Sequence, residues 1–126
     1  MKQEDKELLL RDLCARIPYG VICIDNDINF TGKLKSLCID YDTVTLDNID
    51  NNNEFSICYI KNIKPYLFPM SSMTEEQEIE FKNTCNGYCE YYWTEETFDW
   101  LNKNHFDYRG LIPKNLANDA TGLNIY

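Results

Sequence analysis

An α+β fold is predicted for this 126-residue chain: an N-terminal helix, a small five-stranded barrel and a helical C-terminal layer. Three observations predict it. Apolar residues recur at helical spacing over residues 3–16. The pattern then changes to short strands between residues 21 and 67, the longest of them interrupted by Gly32. Helix-start signals return from residue 74 onward. The length suits one domain that buries roughly two-thirds of the surface its unfolded chain exposes. No internal repeat or flexible linker divides it, so residues 1–17, 19–70 and 71–126 are read as parts of one unit.

The first helix spans residues 3–16. Leu9, Leu13 and Ile17 recur four apart with Leu10 and Cys14 beside them, while Glu4, Lys6 and Arg11 face water. Pro18-Tyr19-Gly20 ends it, because proline cannot continue the hydrogen-bond ladder and glycine supplies the turn. Val21–Ile24 forms a strand and Asp25–Asp27 a turn. A long strand runs from Ile28 to about Asp40. Its apolar residues keep one parity through Leu34 and have changed to the other by Leu37, which requires a bulge or bend between Gly32 and Leu37. Thr43–Leu46, Phe55–Ile60 and Ile63–Leu67 complete the strands, with a polar Asn48–Asn53 loop and a stop at Pro69. Thr74 with Gln77 makes a capping box for a helix running to about Asn83. Thr94 starts another, with Glu95 and Glu96 in its first turn and Phe98 and Leu101 on its buried stripe. The aromatic cluster Tyr88, Tyr91, Tyr92 and Trp93 lies between these helices. A compact loop at 105–113 leads to a short helix or turn and a polar tail.

A helix followed by five short strands, the long second one bent at a glycine, is the pattern of an SH3-like barrel. The order resembles the Sm-like family, including its bacterial RNA chaperone, through Asn26-Asp27-Ile28-Asn29-Phe30-Thr31-Gly32-Lys33-Leu34 and Cys58-Tyr59-Ile60-Lys61-Asn62-Ile63. That resemblance covers residues 3–68 and implies strand-edge pairing between subunits and RNA binding. The family's basic-histidine signature is absent here, where Ile60 and Lys61 stand. Three further blocks are Leu13–Gly20 (LCARIPYG), Ile63–Glu76 (IKPYLFPMSSMTEE) and Asp99–Ile112 (DWLNKNHFDYRGLI). They resemble a family of small uncharacterised proteins of gut bacteria, their prophages and phages, in the same order along the chain. This resemblance implies a phage or mobile-element setting and brings no activity with it. The stretch from Asn86 to Thr94 has no counterpart in it.

Composition limits the function classes. The net charge is −9 and the sequence pI about 4.5, which argues against a basic nucleic-acid-binding protein. The excess is concentrated: five acids and no Lys or Arg between Asp40 and Glu54, and eight acids against Lys82 alone in residues 71–100. Such faces suit either a solvated helix and loop or mimicry of nucleic-acid phosphates toward a basic partner. No apolar run reaches the ~20 residues of a membrane span, and the MKQEDKELLL start lacks a signal peptide's apolar stretch, so a bacterial host cytoplasm is expected. Fourteen Asn against three Ala and three Arg suit an AT-rich genome. The cysteines (Cys14, Cys23, Cys38, Cys58, Cys85, Cys89) are expected as reduced, mostly buried thiols. Cys85 and Cys89 with the lone His105 fall short of the two tight ligand pairs of a structural zinc site, so neither metal nor cofactor is expected.

Two clusters are candidate sites. In His105-Phe106-Asp107-Tyr108-Arg109, His105 has the chemistry of an acid or base, Asp107 could orient it and Arg109 could hold a phosphate or carboxylate. The plainer expectation is that Asp107 and Arg109 satisfy a tight loop anchored by Phe106 and Tyr108, since no nucleophile motif or phosphate loop accompanies them. The second cluster is Tyr59, Lys61, Lys64 and Tyr66, where lysines between aromatics suit a nucleotide, or where a barrel edge pairs with another subunit. The expected function is a non-enzymatic phage or mobile-element accessory protein that binds a host protein or a small nucleotide signal and antagonises host defence. An Sm-like RNA-binding oligomer is the alternative, and a small hydrolase using His105, Asp107 and Arg109 the third.

Overall fold

The computed structural model describes residues 1–51, 53–88 and 92–126. The expected Cys89 thiol, Tyr91 and part of the 86–94 stretch lie outside them. The chain is α+β, with an N-terminal helix and a mostly antiparallel sheet. Helix α1 (Gln3–Arg16) runs into a 3-10 turn at Ile17–Tyr19, where Pro18 tolerates the missing donor, and stops at Gly20 with φ +66°. Strands β1 (Ile22–Asp25), β2 (Phe30–Cys38), β3 (Thr43–Asn48) and β4 (Phe55–Tyr59) follow as an antiparallel meander. Another 3-10 turn, Ile60–Asn62, carries the chain to β5 (Ile63–Pro69), which returns antiparallel beside β1. The helices α2 (Glu75–Thr84) and α3 (Glu95–Lys103) both begin on the expected threonines, Thr74 and Thr94, each with a complete capping box. Ile28 falls in the turn before β2 and is exposed.

The parity change in the long strand is a register shift between Leu34 and Ser36 against β3. It lets both Leu34 and Leu37 face inward on either side of the bulge, beside Leu46 and Val44. Gly32 has a separate reason to be glycine. A Cβ there would run into the main chain of Asp47 on β3 and meet Leu46 Cβ at 3.1 Å. Leu9 and Leu13 of α1 cover this inner face, together with Leu111, Leu116 and Ala117 from the C-terminal segment.

The sheet is larger than the five-stranded barrel expected, and it is open. Among the described residues the sheet has seven strands: β4-β3-β2-β1-β5 in that order, then two short strands that both pair with β5, and it does not close. The two extra strands come from the segment expected to be a helical layer and polar tail. Strand β6 (Phe106–Asp107) runs parallel to the end of β5, and β7 (Asn118–Asp119) runs parallel to its middle. The tail is pinned: the Tyr126 hydroxyl donates to the Tyr66 carbonyl at 2.7 Å and accepts from the Ile22 amide at 2.8 Å. Two-residue strands carry no period-2 pattern, so their pairing has no local trace in the sequence.

The cysteine expectation is also corrected. Cys85 is disulfide-bonded, and Cys14, a free thiol, is exposed; Cys23 and Cys58 are free and buried. Phe98, expected on the buried stripe of α3, is partly exposed and lies edge-on to Trp93 and Tyr108, while Leu101 is fully buried. Replacing Gly32 with Ala is expected to lower unfolding stability by about 1–3 kcal/mol through overpacking against Asp47; urea denaturation measures the loss.

Candidate functional site

The two sequence-predicted clusters meet different fates. The residues 105–109 are folded onto α1, and the feature that holds them there is one that sequence reading overlooked. Asp12 and Arg16 are both fully buried. The Arg16 guanidinium donates from Nε to Asp12 Oδ2 at 2.8 Å, and from Nη2 to Asp12 Oδ1 at 3.0 Å and to the Phe106 carbonyl at 2.6 Å. Arg109 Nη1 donates to the same Asp12 Oδ1 at 3.0 Å. Both guanidinium carbons lie over the Tyr108 ring, at 5.4 and 4.7 Å from its centroid, and the Tyr108 hydroxyl donates to Asn102 Oδ1 at 2.9 Å. A signal existed: Asp12 and Arg16 fall at positions i+3 and i+7 from Leu9, on the stripe that Leu9 and Leu13 mark as buried.

Asp107 does not orient His105. Its two carboxylate oxygens accept from the Leu111 and Ile112 amides, both at 2.9 Å, and so fix the following loop. Phe106 is buried, stacked on Trp100 with ring centroids 5.6 Å apart. His105 sits just after α3 in the left-handed region, φ +63°, where glycine or asparagine is the easier choice. Its ring stacks on Tyr126 at 3.7 Å, and its carbonyl accepts from the Phe68 amide at 2.8 Å. Burial, reinforced by the Arg16 charge, pushes the His105 pKa down to about 4, so the ring is neutral at physiological pH. His105 Nδ1 and Arg16 Nη1 are buried without a hydrogen-bond partner among the described residues.

The second cluster divides. Lys64 and Tyr66 lie on β5 toward the C-terminal segment: Lys64 Nζ donates to Asn115 Oδ1 at 2.9 Å, and Tyr66 pairs with Asn118. Tyr59 and Lys61 lie at the other end of the sheet, with Lys61 Nζ 5.8 Å from the Tyr59 ring centroid. Both line a hollow of about 410 Å³ shared with Lys6, Tyr41, Asp42 and Ile60. Lys6 is neutralised there by Asp42 at 2.7 Å, which leaves Lys61 as the wall's unpaired lysine among the described residues. Tyr41 and Tyr59 also border a shallower groove of about 500 Å³ on the outer face of β3 and β4, with Cys38, Thr43, Thr45 and Ile57. The exposures are large: Tyr41 76%, Phe55 64%, Ile57 65% and Tyr59 60%. Tyr41 was missing from the sequence reading because a turn tyrosine between aspartates gives no periodic cue.

Reactive thiol chemistry has little footing in the core. Burial raises the Cys58 thiol to about 11 and pushes Cys23 up further, against thiolate formation. No group of three or more metal-ligating side chains occurs among the described residues, and no described helix is long and apolar enough to cross a membrane. No protein-family model matches the chain, and neither the curated proteins nor the solved structures yield a match.

The His105 environment sets a pH dependence. Its folded pKa lies below the ordinary value of 6.5, so its contribution to stability is complete above about pH 6.5 and is lost as pH falls toward 4. The difference in unfolding free energy between the native chain and His105→Asn, which retains a residue suited to positive φ, is expected to shrink by about 1–3 kcal/mol from pH 7 to 4.5. Paired denaturant titrations at the two pH values measure it.

Proposed function

We propose that this chain is a non-enzymatic accessory protein of a phage or mobile element that binds a host component and antagonises host defence. The setting is supported by the three resembling blocks and by the Asn-rich, Ala- and Arg-poor composition. Binding rather than catalysis is supported by the use of the polar groups. Asp107, Tyr108 and Arg109 are each engaged with a loop amide, a helix side chain or a buried carboxylate, and His105 is stacked and neutral. The Cys85 disulfide stands against a reducing compartment, since such bonds persist in oxidising ones.

The observation that carries the reading is the hollow bounded by Tyr41, Tyr59 and Lys61. Its volume of about 410 Å³ lies within the usual range of small-molecule sites. Two exposed tyrosines offer faces for a base, and an unneutralised lysine offers charge for a phosphate. A small nucleotide signal is therefore the favoured host component. The finer reading of the fold goes with this: β4-β3-β2-β1-β5, with bent β2 and a 3-10 turn leading from β4 to β5, is an SH3-like arrangement left open at one side.

The Sm-like RNA-binding oligomer is the second reading. A head-to-tail ring takes two free edges from each subunit, and here the outer side of β5 is occupied by β6 and β7. Equilibrium dialysis against a panel of radiolabelled mono- and dinucleotides tests the leading reading. Retention of one of them, lost at least tenfold in Tyr59→Ala and Lys61→Ala but unchanged in Arg109→Lys, is the expected outcome. Binding of none, or binding indifferent to Tyr59 and Lys61, contradicts it.

A further inference from the structure

Strand β4 ends the sheet with its outer edge unpaired among the described residues. The Asn48 amide bonds the Glu54 carbonyl at 2.9 Å and the Ile60 amide bonds the Asp42 carbonyl at 2.8 Å, at the two ends of the β3–β4 ladder. In an antiparallel ladder these pairs alternate, so Ser56 and Cys58 turn their main-chain groups toward β3. The N–H and C=O of Phe55, Ile57 and Tyr59 therefore point off the open edge. The same three residues carry the large exposed apolar side chains, 64%, 65% and 60% accessible. Natural proteins usually guard such an edge with prolines, inward charges or a covering loop. The other end of the sheet has such a cover, β6 and β7 along β5, and β4 has none among the described residues.

We infer that the β4 edge binds a second copy of this chain, antiparallel and about a two-fold axis through Ile57. In that register Ile57 faces Ile57 of the other copy and Phe55 faces Tyr59, so six main-chain hydrogen bonds form, two for each of three facing pairs. Pairing about a two-fold axis is self-complementary and closed, because each copy uses the same β4 edge once. Charge favours the antiparallel direction. Glu54 precedes β4 at one end and Lys61 follows it at the other, so each lysine comes beside the partner's Glu54, while Asp47 is engaged by Lys35 at 4.0 Å and Asp42 by Lys6 at 2.7 Å. Parallel pairing would set the two Glu54 carboxylates side by side and the two Lys61 ammonium groups likewise. The exposed parts of Phe55, Ile57 and Tyr59 amount to roughly 350 Å² per copy, under half of the ~800 Å² each partner contributes to a stable complex. The dimer is accordingly reversible, with a dissociation constant on the order of micromolar to tens of micromolar.

The decisive experiment combines sedimentation equilibrium of the intact chain with amide hydrogen exchange at about 5 and 500 µM, concentrations that bracket the expected dissociation constant. The expected mass rises from 14.9 kDa toward twice that value. The amides of Phe55, Ile57 and Tyr59 gain protection of tenfold or more, and those of Ser56 and Cys58, already bonded to β3, do not change with concentration. Ile57→Lys remains monomeric at the higher concentration with an unaltered far-UV spectrum. A mass fixed at 14.9 kDa overturns the inference, as does a dimer that survives Ile57→Lys or protects other amides. A monomer whose β4 edge is protected only on adding a different protein overturns the second-copy assignment as well. Ile57 lies outside the Tyr41–Tyr59–Lys61 hollow, so nucleotide retention by Ile57→Lys separates failure of the dimer from failure of the proposed ligand site.

Discussion

Two charges buried with full removal from solvent, Asp12 and Arg16, hold together parts of the chain that are far apart in sequence. Each ion loses several kcal/mol of hydration on burial, and only good geometry and extra hydrogen bonds offset that cost. The compensation comes largely from beyond α1. Arg16 reaches the Phe106 carbonyl, Arg109 brings a second guanidinium to Asp12, and the Tyr108 ring lies against both cations. The pair therefore requires the C-terminal block to be in place, and the block in turn finds its position through the pair. Strand β6 begins at the residue whose carbonyl Arg16 holds, so this contact also sets where the C-terminal segment joins β5.

That dependence explains why the densest polar cluster in the sequence is a poor catalytic site. A general base needs accessible lone pairs and a pKa near the working pH. His105 has a stacked ring and a lowered pKa, and the carboxylate that could have oriented it closes a loop instead. The exposed groups lie elsewhere, where Tyr41, Tyr59 and Lys61 stand out from the sheet and line the hollow. The proposed ligand site lies there, beside the β4 edge proposed to pair with a second copy.

Much of the architecture was legible because local rules and tertiary structure agree. Residues 3–16 are helical, the threonine caps at 74 and 94 hold, and the parity change between Leu34 and Leu37 is a bulge. What escaped was non-local. The pairing of Phe106–Asp107 and Asn118–Asp119 with β5 is decided by where Tyr126 and Arg16 anchor the segment, and two residues are too few to show a period. The Asp12–Arg16 stripe was visible in principle, yet an i,i+4 ion pair on a helix is ordinarily a solvated one. At the candidate site, Tyr59 and Lys61 were legible as an aromatic-basic pair, whereas Lys64 and Tyr66 were separated from them by the turn at Ile60–Asn62. Spacing along a strand does not reveal such a separation.

The central claim is that the Asp12–Arg16 pair holds the C-terminal block in place and is far more than an incidental helix contact. A double-mutant cycle with Asp12→Leu and Arg16→Met, read by chemical denaturation, tests it most directly. Each single replacement should cost about 3–5 kcal/mol by stranding a buried charge, while the double replacement costs no more than either one. Additive losses, or single losses below about 1 kcal/mol as for a surface pair, would contradict the account.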